Sequence, residues 1–138
     1  MSALEFLDTN VLVYAYDASD PRKQQIAQGL VRRAVAGEIA ASSQVLGEFA
    51  ATLLHKITPP AKPEDLMVLL DTLGPINLVS IDGDVVLRAV QARAQYGVHF
   101  YDGMILAAAE RGGCQKIWSE GLDAGQQYFG CTVENPFV

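Results

Sequence analysis

The sequence predicts an α/β protein: a three-layer α/β/α sandwich built on an open, mostly parallel sheet of five short strands. Three observations lead there. Short apolar runs alternate along the chain with longer helical patterns, the order of a parallel sheet with helical crossovers. The helical patterns open on capping residues and close on glycine, which places their limits. The chain has 138 residues, one domain's worth at about 150 residues per domain. It shows no internal repeat and no low-complexity tract. Thr58 to Pro63 is a short rigid link rather than a domain boundary.

Ala3 to Leu7 is an apolar run that reads as a buried strand ending at Asp8, and Asn10 to Tyr16 as a short helix. Asp20-Pro21 is a strong helix start, with Asp as cap and Pro in the first turn. That helix runs to about Ala36, where Gly37 stops it. Glu38 to Ala41 is a short strand. Ser42 or Ser43 then caps a helix to about Lys56. Lys62-Pro63 opens another helix, ending near Gly74-Pro75. Ile76 to Ser80 is a strand. Asp82 caps a long helix to Tyr96, closed by Gly97. Phe100 to Arg111 is an Ala-rich helix ending at Gly112-Gly113. Lys116 to Trp118 is a strand, Leu122 to Gln126 a single helical turn, and Cys131 to Glu134 the last strand. In sheets of this class the working site lies beyond the carboxyl ends of the strands.

Half of the residues are hydrophobic and 19% are charged, which argues against disorder. Ten basic residues stand against sixteen acidic ones, a net charge of −6. A broadly basic coat for nucleic acid is excluded, but a local nucleic-acid contact is not. The longest stretches free of charged residues have ten residues, Thr72 to Ile81 and Ala124 to Val133. A membrane span needs about twenty, so none is expected. With no basic, apolar leader at Met1-Ser2-Ala3-Leu4-Glu5, the protein is expected in the cytoplasm. Cys114 and Cys131 are expected to be buried thiols, and no zinc spacing is present.

Most of the acids read as caps and solvated surface, among them Asp17, Asp20, Glu64, Asp65, Asp71, Asp82 and Asp84. Three differ. Asp8 stands between Phe6-Leu7 and Val11-Leu12-Val13, Glu48 inside Val45 to Ala50, and Asp102 between Phe100-Tyr101 and Met104-Ile105-Leu106. A carboxylate in an apolar run needs a partner or must become neutral. The next basic residue after Glu48 is Lys56, eight positions on, and after Asp102 it is Arg111, nine on. Neither spacing pairs on a helix. A hard divalent cation is the simplest common partner. Asp8, Glu48, Asp102 and the Ser119-Glu120-Gly121 turn are all expected at one carboxyl edge of the sheet. Acids clustered there repel one another and raise at least one pKa. With a divalent ion they would polarise a phosphodiester and activate a water.

The segments Phe6 to Leu12, Ser42 to Phe49, Phe100 to Ala109 and Ile117 to Glu120 resemble the PIN-domain ribonucleases, above all the VapC-type toxins of toxin–antitoxin systems. The resemblance covers nearly the whole chain, with the motifs in the family's order. It implies a Mg²⁺- or Mn²⁺-dependent endoribonuclease with a parallel five-stranded sheet. Asp8, Glu48 and Asp102 would be the metal-site carboxylates, with Thr9 and Asn10 supporting the first. Ser119 would hold the family's Ser/Thr position, contacting that Asp or the site's water. A homodimer and a cognate antitoxin are implied as partners, the antitoxin presenting an Arg to the acidic site. The chain departs from the pattern at Gly121, where the family has a fourth acid that helps hold a metal. Glu120 and Asp123 are the candidate substitutes.

Arg22, Lys23, Arg32 and Arg33 fall within one expected helix. They form either a solvated face or a phosphate-contact patch. Gln44, one turn before Glu48, is expected to face the same site. His55 and His99 carry no functional signal. Trp118 and the tyrosines Tyr14, Tyr16, Tyr96 and Tyr101 are expected in core or edge packing. Other classes compete with this reading. A PIN-like binding protein that retains a cation site but little turnover is favoured by Gly121. A phosphotransfer receiver is disfavoured because no paired acids follow the first strand and no suitable Lys follows a late strand, and a DxD phosphatase because Asp8-Thr9-Asn10 lacks the second Asp.

Overall fold

The computed structural model describes residues 5–138; Ala3 and Leu4, the expected start of the first strand, lie outside the described residues. The elements follow in the order β1 (Glu5–Leu7), α1 (Thr9–Tyr14), α2 (Pro21–Val35), β2 (Ile39–Ser42), α3 (Ser43–His55), α4 (Pro63–Thr72), β3 (Leu78–Val79), α5 (Gly83–Tyr96), α6 (Phe100–Arg111), β4 (Lys116–Trp118), β5 (Gln127–Tyr128) and β6 (Cys131–Glu134). The caps are those the sequence indicates. Side-chain oxygens of Asp20, Ser42 and Asp82 accept from backbone N–H groups of Lys23, Val45 and Val85. Each satisfies a donor that the first helical turn leaves without a partner. Gly97 closes α5 at φ 71°, a left-handed conformation that glycine adopts without steric cost.

The strands form one sheet in the order β3-β2-β1-β4-β6-β5. All neighbours are parallel except β5, which runs antiparallel to β6. The sheet therefore has six strands among the described residues, not five. The additional strand comes from a tight hairpin at Phe129-Gly130, where both residues have positive φ. Leu122 to Gln126 is a bend followed by a β-turn, in which Gln126 N–H donates to the Asp123 carbonyl at 3.2 Å, rather than the expected helical turn, and Leu122 is buried in the core. The strand expected over Ile76 to Ser80 shortens to Leu78–Val79.

The chain steps from β1 outward through β2 to β3, then returns to place β4 on the other side of β1. With right-handed crossovers, α2 and α3 pack on one face and α5 and α6 on the other. α6 lies against β2, β3 and β6, with α5 packed outside it. That pair is close: a Cβ on Gly103 would come 2.7 Å from the Ala89 carbonyl oxygen. Phe6, Leu7, Phe49, Leu106, Ile117 and Val133 are fully buried between the layers. Trp118 is half-buried at the sheet surface, where its indole N–H donates to Glu5 at 2.8 Å. Cys114 and Cys131 are buried thiols, not a disulfide, and the Cys131 thiol donates to the Cys114 carbonyl at 3.0 Å. No described helix is long and apolar enough to cross a membrane.

Strand order reverses at β1 and β4, and a crevice opens beyond the carboxyl ends at such a switch point. The ladder continues into it: Asp8 N–H donates to the Trp118 carbonyl, and Ser119 N–H to the Glu134 carbonyl, both at 3.0 Å.

Candidate active site at the carboxyl edge of the sheet

Asp8 is the first residue beyond β1 and caps α1 with an extended backbone. Its side chain is fixed from two sides. Oδ1 accepts from Thr9 N–H at 2.7 Å and Oδ2 from the Ser119 hydroxyl at 2.7 Å. Ser119 is itself fully buried, and its Oγ accepts from the N–H groups of Gly121 and Leu122. The β4 turn is thereby tied to Asp8. Glu48 lies near the middle of α3, where its Oε1 accepts from Thr9 Oγ1 at 2.9 Å and from Gln44 Nε2 at 3.4 Å. Gln44 also donates to the Tyr101 carbonyl at 3.1 Å, joining α3 to the first turn of α6. Asp102 stands in that turn. Asp8, Glu48 and Asp102 line a single cavity of about 520 Å³, together with Thr9, Asn10 and Gly121.

The electrostatics of this cavity are one-sided. Burial pushes the Asp8 carboxyl up to about 6, against the hydrogen bonds from Ser119 and Thr9, and the charges of Asp102 and Glu48 push the same way. Asp102 is also raised, chiefly by burial, with His99 opposing and Glu48 adding. Among the described residues none of the three acids is ion-paired to a basic side chain, although Lys56 lines the same cavity. A divalent ion fits such a donor set: the ligands are hard carboxylate oxygens, and Asp8 is held at 6% exposure with its charge unbalanced. Among the described residues no three acids, histidines or cysteines close into a ready cage. An ion that keeps several of its waters, as Mg²⁺ does, asks for no such cage.

The other expected residues are sorted by the fold. Asn10 lines the cavity, and its Oδ1 accepts from Glu120 N–H at 3.2 Å. The Glu120 carboxylate engages Lys23 and accepts from the Tyr14 hydroxyl at 2.7 Å. Despite partial burial, those partners hold it below the usual carboxylate range. Asp123 is exposed and does not line the cavity. Neither acid therefore occupies the place that Gly121 leaves open. The basic residues of α2 do not form one patch. Lys23 pairs with Glu120 and Arg22 donates to the Phe137 carbonyl. Ten residues along, about 15 Å at the helical rise, Arg33 pairs with Glu5 and Glu38, and Arg32 is exposed.

Some contributors carried little signal in the sequence. His99 caps α6, its Nδ1 accepting from Tyr101 N–H, and so sets the turn that carries Asp102. Its position three residues before an acid in an apolar run was the available cue. Tyr14 meets Glu120 across 106 residues of chain, which no local pattern encodes.

A family model of the PIN domain matches residues 6–128. Solved structures with this fold include the toxin VapC20 of Mycobacterium tuberculosis, described as cleaving the sarcin–ricin loop, at 18% identity and TM-score 0.62, covering 82% of this chain and 86% of that one. A toxin–antitoxin complex from Klebsiella pneumoniae matches at 20% identity and TM-score 0.64, covering 96% and 97%. FitAcB from Neisseria gonorrhoeae matches at 17% identity and TM-score 0.60, covering 96% and 98%. No curated protein matches the chain.

Proposed function

The chain belongs to the PIN-domain family, and on that footing we propose that it is a metal-dependent endoribonuclease, the toxin of a toxin–antitoxin pair. The observation that carries this is the convergence of Asp8, Glu48 and Asp102 on one cavity, with none of the three ion-paired to a basic side chain among the described residues. Asp8, Asp102 and Glu48 would hold Mg²⁺ or Mn²⁺, which when bound supplies charge neutralisation at a phosphate and a more acidic water. The chain's own groups prepare the site. Ser119 and the Thr9 N–H orient Asp8, Thr9 Oγ1 and Gln44 orient Glu48, and His99 fixes the turn of Asp102.

A cognate antitoxin as partner is supported by the toxin–antitoxin complex among the similar structures. A homodimer is supported by apolar side chains left exposed on α5, where Val86, Leu87 and Val90 share one face. No described helix is long and apolar enough to cross a membrane; the cytoplasm is the proposed location.

The test is cleavage of cellular RNA with Mg²⁺ or Mn²⁺, against chelator and against Asp8→Asn, Glu48→Gln and Asp102→Asn. Each variant should lose most of the activity, and undiminished cleavage by all three would remove the proposal. Gly121 favours one second reading, a PIN-like protein with weakened turnover that acts by binding RNA or a partner. Metal binding without cleavage of any RNA is its signature.

A further inference from the structure

Apart from the acids, Lys56 is the one charged residue that lines the cavity among the described residues. The ten Lys and Arg side chains divide sharply. Lys23, Arg33, Arg88, Arg111 and Lys116 are ion-paired. Arg22 and Arg93 donate to carbonyl oxygens. Among the described residues, Arg32, Lys56 and Lys62 alone make no side-chain hydrogen bond or ion pair, and of these only Lys56 lines the cavity.

Its placement follows from helical spacing. Glu48 and Thr52 in α3 and Lys56 at its C-cap recur every four residues, so they form one stripe, and all three line the cavity. The Thr52 hydroxyl donates back to the Glu48 carbonyl at 2.8 Å, which leaves the ammonium of Lys56 as the uncommitted donor of the stripe. Eight residues separate Glu48 from Lys56, about 12 Å at the helical rise. The backbone of Lys56 thus starts about two turns beyond Glu48 on the same cavity wall, a placement suited to a phosphate next along the strand from the one held among the acids. The fourth acid of the lining, Asp17, adds to a wall that repels phosphate elsewhere.

We propose that Lys56 binds an RNA phosphate other than the scissile one, and so fixes the direction in which the strand crosses the cavity. This rests on the nuclease function proposed above. An ammonium is suited to the task as a compact point charge that meets a phosphate without demanding one geometry. Each phosphate neutralised on a single strand releases counterion and steepens the salt dependence by about 0.7 in the log–log slope.

The experiment compares wild type, Lys56→Gln, Lys56→Arg and Lys62→Gln in cleavage of a single-stranded RNA oligonucleotide and of a dinucleotide, with Mn²⁺ present and salt varied. Lys62 is exposed and outside the cavity, so Lys62→Gln controls for net charge. Lys56→Gln should raise KM for the oligonucleotide roughly three- to fivefold, as for an exposed charge pair, with kcat unchanged. Its salt slope should be shallower by about 0.7. The dinucleotide should be cleaved equally by both proteins, and Lys56→Arg should restore the oligonucleotide KM. If Lys56→Gln matches an active wild type in KM and slope, or if Lys62→Gln gives the same change, the role of Lys56 is overturned and the nuclease remains. A wild type that cleaves no RNA overturns both.

Discussion

Replacing Asp8 by asparagine is expected to stabilise the metal-free protein while abolishing cleavage. The Asp8 carboxyl is 6% exposed, and burial together with the charges of Asp102 and Glu48 sets its pKa at about 6 instead of 3.8. A carboxyl that holds its proton more tightly when folded makes the folded state bind more protons, so stability falls as pH rises. Below about pH 4 both states are protonated and the penalty vanishes, whereas above about pH 7 both are ionised and it is complete. A shift of about two units at 1.36 kcal/mol per unit amounts to about 3 kcal/mol, roughly half of it relieved at pH 5. Asp102 is raised too and acts in the same sense. Glu5 and Glu120, despite partial burial, are held low by Arg33 and Lys23. Their contributions are lost only below about pH 4.5, so pH 5 to 7 reports the site. Asn keeps an acceptor for Thr9 N–H but turns an amide donor toward Ser119 Oγ, which already accepts two N–H groups. That mismatch costs about 1 kcal/mol. The net gain at pH 7 is about 1–2 kcal/mol, roughly 3–7 °C in Tm for a chain of this size. The assay is thermal unfolding in chelator at pH 5, 6 and 7. Wild type should gain several degrees on acidification, and Asp8→Asn only the smaller share that Asp102 contributes. A flat wild-type profile, or a variant less stable than wild type at pH 7, would refute the electrostatic account of the site.

Three further outcomes are expected. Ser119→Ala removes the donor to Asp8 Oδ2 and the acceptor of two backbone N–H groups. It should cost about 2–4 kcal/mol in urea unfolding and move the Asp8 titration further up. An unchanged pH profile would show that Ser119 does not tune Asp8. Gly121→Asp brings a Cβ to 3.1 Å from Asn10 Nδ2, a contact a small side-chain shift relieves. It should change stability by less than about 1 kcal/mol and tighten Mn²⁺ binding in calorimetry; unchanged affinity and cleavage would mean the missing acid has no role. Gly103→Ala forces a Cβ to 2.7 Å from the Ala89 carbonyl oxygen. It should destabilise by about 1–3 kcal/mol and weaken metal binding through Asp102, and a neutral result would mean that α5 and α6 separate freely.

What was legible in the sequence was whatever acts locally. Asp20, Ser42, Asp82 and Gly97 each satisfy backbone groups within a few residues of themselves, so their chemistry marks the helix ends directly. The convergence of Asp8, Glu48 and Asp102 on one cavity was legible because they break apolar runs, and a parallel sheet brings strand ends together. The β5–β6 hairpin was not legible, because its turn lacks the usual Asn-Gly or Asp-Gly signal. Phe129 is held at φ 51° from outside: Tyr96 accepts its N–H at 3.0 Å, and the Arg88 guanidinium lies 3.7 Å from its ring centre. The fate of Glu120 was hidden for the same reason. Its partners Lys23 and Tyr14 are 97 and 106 residues away in the chain.

The two outermost strands, β3 and β5, are two residues long. An outer strand normally offers a row of open backbone donors and acceptors on which a foreign strand can template itself. Here the row is too short to template anything. Amyloid-like stacking at the borders is disfavoured even when the protein is concentrated. Strand addition, which draws affinity from main-chain hydrogen bonds, is closed to partners as well. Any protein partner would instead be recognised mainly by side chains on the helices and around the cavity, so pairing specificity would be written in residues that substitution can change one at a time.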